Sequence, residues 1–141
     1  MLKSILLALV FVVIASCSDG DWLRQYLPEH AQDAELVFAR NTNFDIPSCS
    51  VAAYKPRRIA ELGVDYVSGP IEDIYPETSM VSRIIGTAAD GCESPVELGF
   101  NRNGYYDFLK APSIRYKWEG GHAIVIYAPD TGLFWVITAD T

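Results

Sequence analysis

His122-Ala123-Ile124-Val125-Ile126-Tyr127-Ala128-Pro129-Asp130-Thr131-Gly132-Leu133-Phe134-Trp135-Val136-Ile137-Thr138 decides the fold. Two largely apolar runs, His122 to Ala128 and Leu133 to Thr138, flank a short break. Successive residues of a strand point to opposite faces, so a run that is apolar throughout is covered on both. Pro129-Asp130-Thr131-Gly132 has the composition of a tight turn. The stretch therefore reads as two neighbouring antiparallel strands in the middle of a sheet.

Working upstream, Ile114, Tyr116 and Trp118 alternate with Arg115 and Lys117, the period-two pattern of a half-buried strand. Gly120-Gly121 turns that strand into the next. Val96, Leu98 and Phe100 alternate with Glu97, Gly99 and Asn101, which predicts a further strand. Asn103-Gly104 then predicts a hairpin turn into Tyr105 to Leu109. The second half is expected to be an antiparallel meander.

The first half is less regular. Asp19 or Asp21 can cap a short helix that groups Trp22, Leu23, Tyr26 and Leu27 on one face before Pro28. Glu35 to Ala39 fits a strand or a helix end, and Asn41 to Ser48 reads as a loop. Arg57 to Leu62 reads as a helix after Pro56, with Gly63 as its C-cap. Pro70 and Pro76 make Ile71 to Ser79 irregular. Met80 to Ala89 fits a helix through Met80, Ile84 and Ala88, and a strand through Val81 to Ile85. Strands buried on both faces need cover on the second, and the N-terminal helices can supply it. The expected class is α+β, with short N-terminal helices packed on a C-terminal antiparallel β-meander.

The chain opens with Lys3 and an unbroken apolar run from Ile5 to Ile14. Crossing a bilayer takes about 20 apolar residues; ten is the length of a signal-peptide core. The run ends in Ile14-Ala15-Ser16-Cys17, which resembles the lipobox of bacterial lipoproteins. The resemblance implies that residues 1–16 are a signal peptide, removed before Cys17, and that the Cys17 sulfur carries a diacylglyceryl group. It also implies a membrane partner, reached through the lipid, because two or more acyl chains anchor stably. Ser18 behind the cysteine implies the outer membrane, facing the periplasm. Residues 17–141 would then form a single extracytoplasmic domain, of ordinary size for one core.

Losing Lys3 leaves ten Lys and Arg against 18 Asp and Glu, a net charge of −8. An acidic domain repels the phosphate backbone, so nucleic acid is not an expected partner. With Cys17 lipidated, Cys49 and Cys92 form an even pair in an oxidising compartment, and a disulfide between them is expected. Closing that loop is worth roughly 4 kcal/mol on the chain-entropy model.

Signatures of phosphate loops, nucleophile elbows, zinc proteases and paired Cys-x-x-Cys motifs are absent from the sequence, and no cofactor is expected. His30 and His122 are the only histidines, too few for a histidine-rich metal site. The acidic groups Glu72-Asp73 and Glu29, Asp33, Glu35 read as solvated faces, so no metal is expected.

Ala111-Pro112-Ser113-Ile114, Trp118-Glu119-Gly120-Gly121-His122-Ala123-Ile124-Val125, Phe134-Trp135-Val136-Ile137 and Asp140 together resemble the C-terminal hairpin of papain-like (C39-like) cysteine peptidases. The resemblance implies Cys49 as nucleophile, His122 as base, Asp140 as its orienting partner and Asn43 at the oxyanion hole. In that family the cysteine opens a long helix and the oxyanion residue is Gln; here Ser50 to Tyr54 is a short run ahead of Lys55-Pro56, and Asn43 stands in for the Gln.

Two functions follow. The first is a lipid-anchored, non-enzymatic envelope module of the partner-holding or inhibitor and immunity type. Its partner would be another envelope protein or a peptide, met through Trp22, Tyr105, Tyr106 and Trp118. The alternative is a papain-like (C39-like) cysteine peptidase or amidase, active or degenerate, using Cys49, His122 and Asp140.

Overall fold

The computed structural model describes residues 21–42, 48–58, 61–121 and 123–139. Its frame is a six-stranded, wholly antiparallel sheet in the order β1-β2-β6-β5-β4-β3. The strands are β1 (Glu35–Asn41), β2 (Cys49–Lys55), β3 (Val67–Ser68), β4 (Arg115–Glu119), β5 (Ala123–Ala128) and β6 (Leu133–Ala139). The helices are α1 (Ile71–Ile74), α2 (Met80–Gly91) and α3 (Tyr105–Lys110), with 3-10 turns at Asp21–Tyr26, Glu29–Ala31 and Val96–Leu98.

The expected centre is present. β5 is buried at every position and β6 from Leu133 to Ile137. Ile126 pairs with Trp135 and Ala128 with Leu133 across the turn. Gly132 takes a positive φ of 67° there, where an L side chain would be strained. β4 joins β5 with Tyr116 opposite Ile126, completing the meander.

Alternation then divides the core in two. On one face Ile124 and Ile126 of β5, Trp135 and Ile137 of β6, and Val51 and Ala53 of β2 meet Ile84, Ile85 and Ala88 of α2. On the other, Val125, Tyr127, Phe134, Val136 and Tyr54 meet Leu23, Leu27, Ala31 and Tyr66. The N-terminal segment therefore covers the second face, as short 3-10 turns. Arg24 fastens it. Its guanidinium donates to the carbonyls of Gln32 and Ala34, pairs with Asp21 at 3.0 Å, and lies 5.1 Å from the centre of the Tyr54 ring.

The first half departs from expectation in several places. Cys49-Ser50-Val51-Ala52-Ala53-Tyr54 is a fully buried strand inserted between β1 and β6. The sheet is therefore not a C-terminal meander alone. Met80 to Gly91 is a helix, with Val81, Ile84, Ile85, Ala88 and Ala89 on its buried face; Met80 is 53% exposed and outside that face. Ser79 caps it, its hydroxyl accepting from the Ser82 amide at 3.1 Å. The residues described between Arg57 and Leu62 form no helix.

Val96 to Leu109 is also corrected. Instead of a hairpin it forms a 3-10 turn and α3. Gly99 adopts a left-handed φ of 88°, which interrupts any strand. The Asn101 carboxamide oxygen accepts from the amides of both Asn103 and Gly104, turning the chain into α3 in place of a cross-strand turn. Val96 is 81% exposed, whereas Phe100 and Leu109 are buried in the helical face of the core.

Candidate functional site

The cysteine locus is built by two elements. β2 begins at Cys49, and α2 ends one residue before Cys92. Between them lies a disulfide with an S–S distance of 2.06 Å and Cα atoms 6.2 Å apart. Both residues are buried, beneath the end of α2. Thr42, just past β1, is bonded twice to Cys49. Its amide donates to the Cys49 carbonyl at 2.8 Å, and its hydroxyl accepts from the Cys49 amide at 3.0 Å. Gly91 leaves the space the bridge needs, since a Cβ there would come 3.2 Å from the Cys49 sulfur. The expected disulfide is thus in place.

Cys49 opens a strand rather than a helix, so it lacks the helix N-terminus that the papain-like pattern supplies to its nucleophile. Its Cα is paired with Ala139 of β6. His122, Asp140 and Asn43 lie outside the described residues, as does Cys17. Of the aromatic residues proposed for a contact surface, Trp22 is 44% exposed. Tyr105 and Trp118 pack partly buried against the core, and the Tyr105 hydroxyl donates to the Ser82 carbonyl at 3.2 Å. The side chain of Tyr106 lies outside the described part.

Charge gathers around Lys117 on β4. Its ammonium pairs with the Asp65 carboxylate and, at 2.6 Å, with Glu119. The hydrogen bond to Asp65 is the main reason that Lys117 titrates above the usual lysine range and Asp65 below the usual carboxylate range. Beneath them burial pushes the Tyr66 phenol up to about 12, and burial does the same to Tyr54 despite the nearby Arg24. These are shifts of structural ion pairs and buried phenols. Among the described residues, no group of three or more His, Cys, Asp or Glu is placed to hold a metal ion.

One cluster was not singled out by the sequence. Between α3 and the β5–β6 turn lies a cavity of about 270 Å³. Trp135 lines it, with Phe108 on α3, Asp107 beside that phenylalanine, and Asp130 in the turn. The signal available was the turn Pro129-Asp130-Thr131-Gly132, read for its geometry alone; nothing in the sequence brings it against α3, because that stretch reads as a strand.

No protein-family model matches the chain, and no curated protein and no solved structure shows significant similarity to it.

Proposed function

We propose that this chain is a lipid-anchored cell-envelope protein whose folded domain holds a partner rather than catalysing a reaction. The observation that carries the reading is the buried Cys49–Cys92 bridge. Disulfides persist in oxidising compartments, which is where the Ile14-Ala15-Ser16-Cys17 lipobox would send the chain. The same bridge occupies the sulfur that a papain-like peptidase would need as a thiolate, so it favours binding over chemistry.

The tether would be short. The described fold begins at Asp21, and Leu23 is already in the core. Four extended residues reach about 14 Å, so a lipid on Cys17 would hold the Asp21–Tyr26 turn at the bilayer surface. Trp22 is exposed on that turn, and indole rings favour the membrane–water boundary. Ser18 favours the outer membrane, facing the periplasm. Tethering raises the effective concentration of the domain toward an envelope protein or peptide, and the acidic net charge favours a basic or neutral one over nucleic acid.

Feeding cells a labelled palmitate tests the reading. Label should enter the protein and travel with the membrane fraction. Cys17→Ala should abolish the label. A wild-type chain that takes up no label, or a Cys17→Ala chain that is still labelled, overturns it.

A further inference from the structure

The cavity beside α3 has the chemistry of a ligand site. Its walls are mainly apolar: Leu98, Phe108, Ile114, Pro129 and Trp135 supply most of them. Among the described residues no Lys or Arg lines it, while two carboxylates, Asp107 and Asp130, do. Both aspartates are solvent-exposed, so their charges stand toward the mouth, while Trp135 is wholly buried. An apolar pocket bordered by negative charge and aromatic rings favours a cation carried on an apolar body.

A second observation comes from the core. Trp135 sits among Phe100, Phe108 and Phe38, with ring centres 5.4, 6.3 and 6.3 Å away. Its indole N–H has no hydrogen-bond partner among the described residues, although the atom is buried. Arg115 Nε and Tyr116 Oη are also buried without a partner, but neither residue lines this cavity.

We propose that this cavity binds a small amphiphilic amine. The apolar body enters between α3 and the β5–β6 turn, against Phe108 and Trp135, and the ammonium stays with Asp107 and Asp130. The volume of about 270 Å³ lies just below the usual range of ligand pockets, roughly 300–1,000 Å³. It suits one ring or a short alkyl chain. The site goes beyond the anchored-module reading and does not depend on it, because none of its walls comes from the N-terminal segment.

Tyramine carries the two required parts, an apolar aromatic ring and an ammonium. It is titrated into the full-length protein in detergent micelles, with the tryptophan indoles labelled with nitrogen-15 and the Trp135 signal assigned from Trp135→Phe. The Trp135 indole resonance should shift saturably. 4-Hydroxyphenylacetate has the same ring with the opposite charge and should bind at least about tenfold more weakly. The Asp107→Asn/Asp130→Asn double variant changes only exposed groups and should lose about tenfold in tyramine affinity while keeping its spectrum otherwise intact. The proposal is overturned if tyramine leaves the Trp135 signal unmoved at millimolar concentration, if the acid binds as well as the amine, or if the double variant binds like wild type.

Discussion

Arg24 ties together parts of the chain that the sequence keeps apart. It bonds two carbonyls of the segment before β1, pairs with Asp21 and stacks on Tyr54 of β2. A neutral side chain of similar length would keep the packing and lose the rest. Arg24→Met should therefore cost about 1–3 kcal/mol in urea unfolding, most of it from the part-buried Ala34 carbonyl left without its charged donor. A cost within experimental scatter would mean that the N-terminal turn is held by its apolar residues alone. Little of this was legible beforehand. Arg24 carries no motif, and its partners Gln32, Ala34 and Tyr54 are brought to it only by the fold. Cys49 and Cys92 were legible by contrast, because setting Cys17 aside as the lipid site leaves an even pair. Trp135 was readable as a central strand residue, but not as the wall of a cavity.

The N-terminal segment is the element on which the second face of the sheet depends. Leu23 is 1% exposed beside Tyr54, Phe134 and Val136. Leu23→Ala should destabilise the protein by about 2–5 kcal/mol, as truncations of buried leucines do; a loss under about 0.5 kcal/mol would show that the segment is not part of the core. The sequence anticipated this cover because strands apolar on both faces require one. It anticipated β4, β5 and β6 for a related reason, since alternation and unbroken apolar runs are strong signals. It missed β2 because Cys-Ser-Val-Ala-Ala is poor in branched and aromatic residues, and only burial between β1 and β6 makes it a strand. It misread Val96 to Leu109 because the alternation there marks no common face: Val96 is exposed and Phe100 is buried. There the conformation is set by Gly99 and by the side chain of Asn101.

At the scale of the whole molecule, stability should depend on pH chiefly on the alkaline side. Tyr54 and Tyr66 titrate at about 12 in the fold because burial disfavours their phenolates, against about 10 in the unfolded chain. A folded pKa raised above the unfolded one gives stability that is fully present below the unfolded value and lost as pH rises through the folded one. Each tyrosine should therefore withdraw up to about 1.4 kcal/mol per pH unit between pH ~10 and ~12. Lys117, raised by its bond to Asp65, loses its contribution in the same direction. Asp65 acts at the other end, its depressed pKa giving stability that is lost as pH falls below about 4. Thermal unfolding as a function of pH should fall steeply above pH ~10, and Tyr66→Phe should soften that fall. An unchanged slope in the variant would contradict the assignment.

The disulfide joins these scales, since it locks the end of α2 to the start of β2 and carries the functional reading. The most direct test is alkylation of the unfolded protein, taken from the cell envelope without reductant, followed by intact mass analysis. No alkyl adduct should appear on Cys49 or Cys92, and the chain should begin at a lipid-modified Cys17. An adduct on Cys49 would contradict this and return that sulfur to the list of nucleophiles.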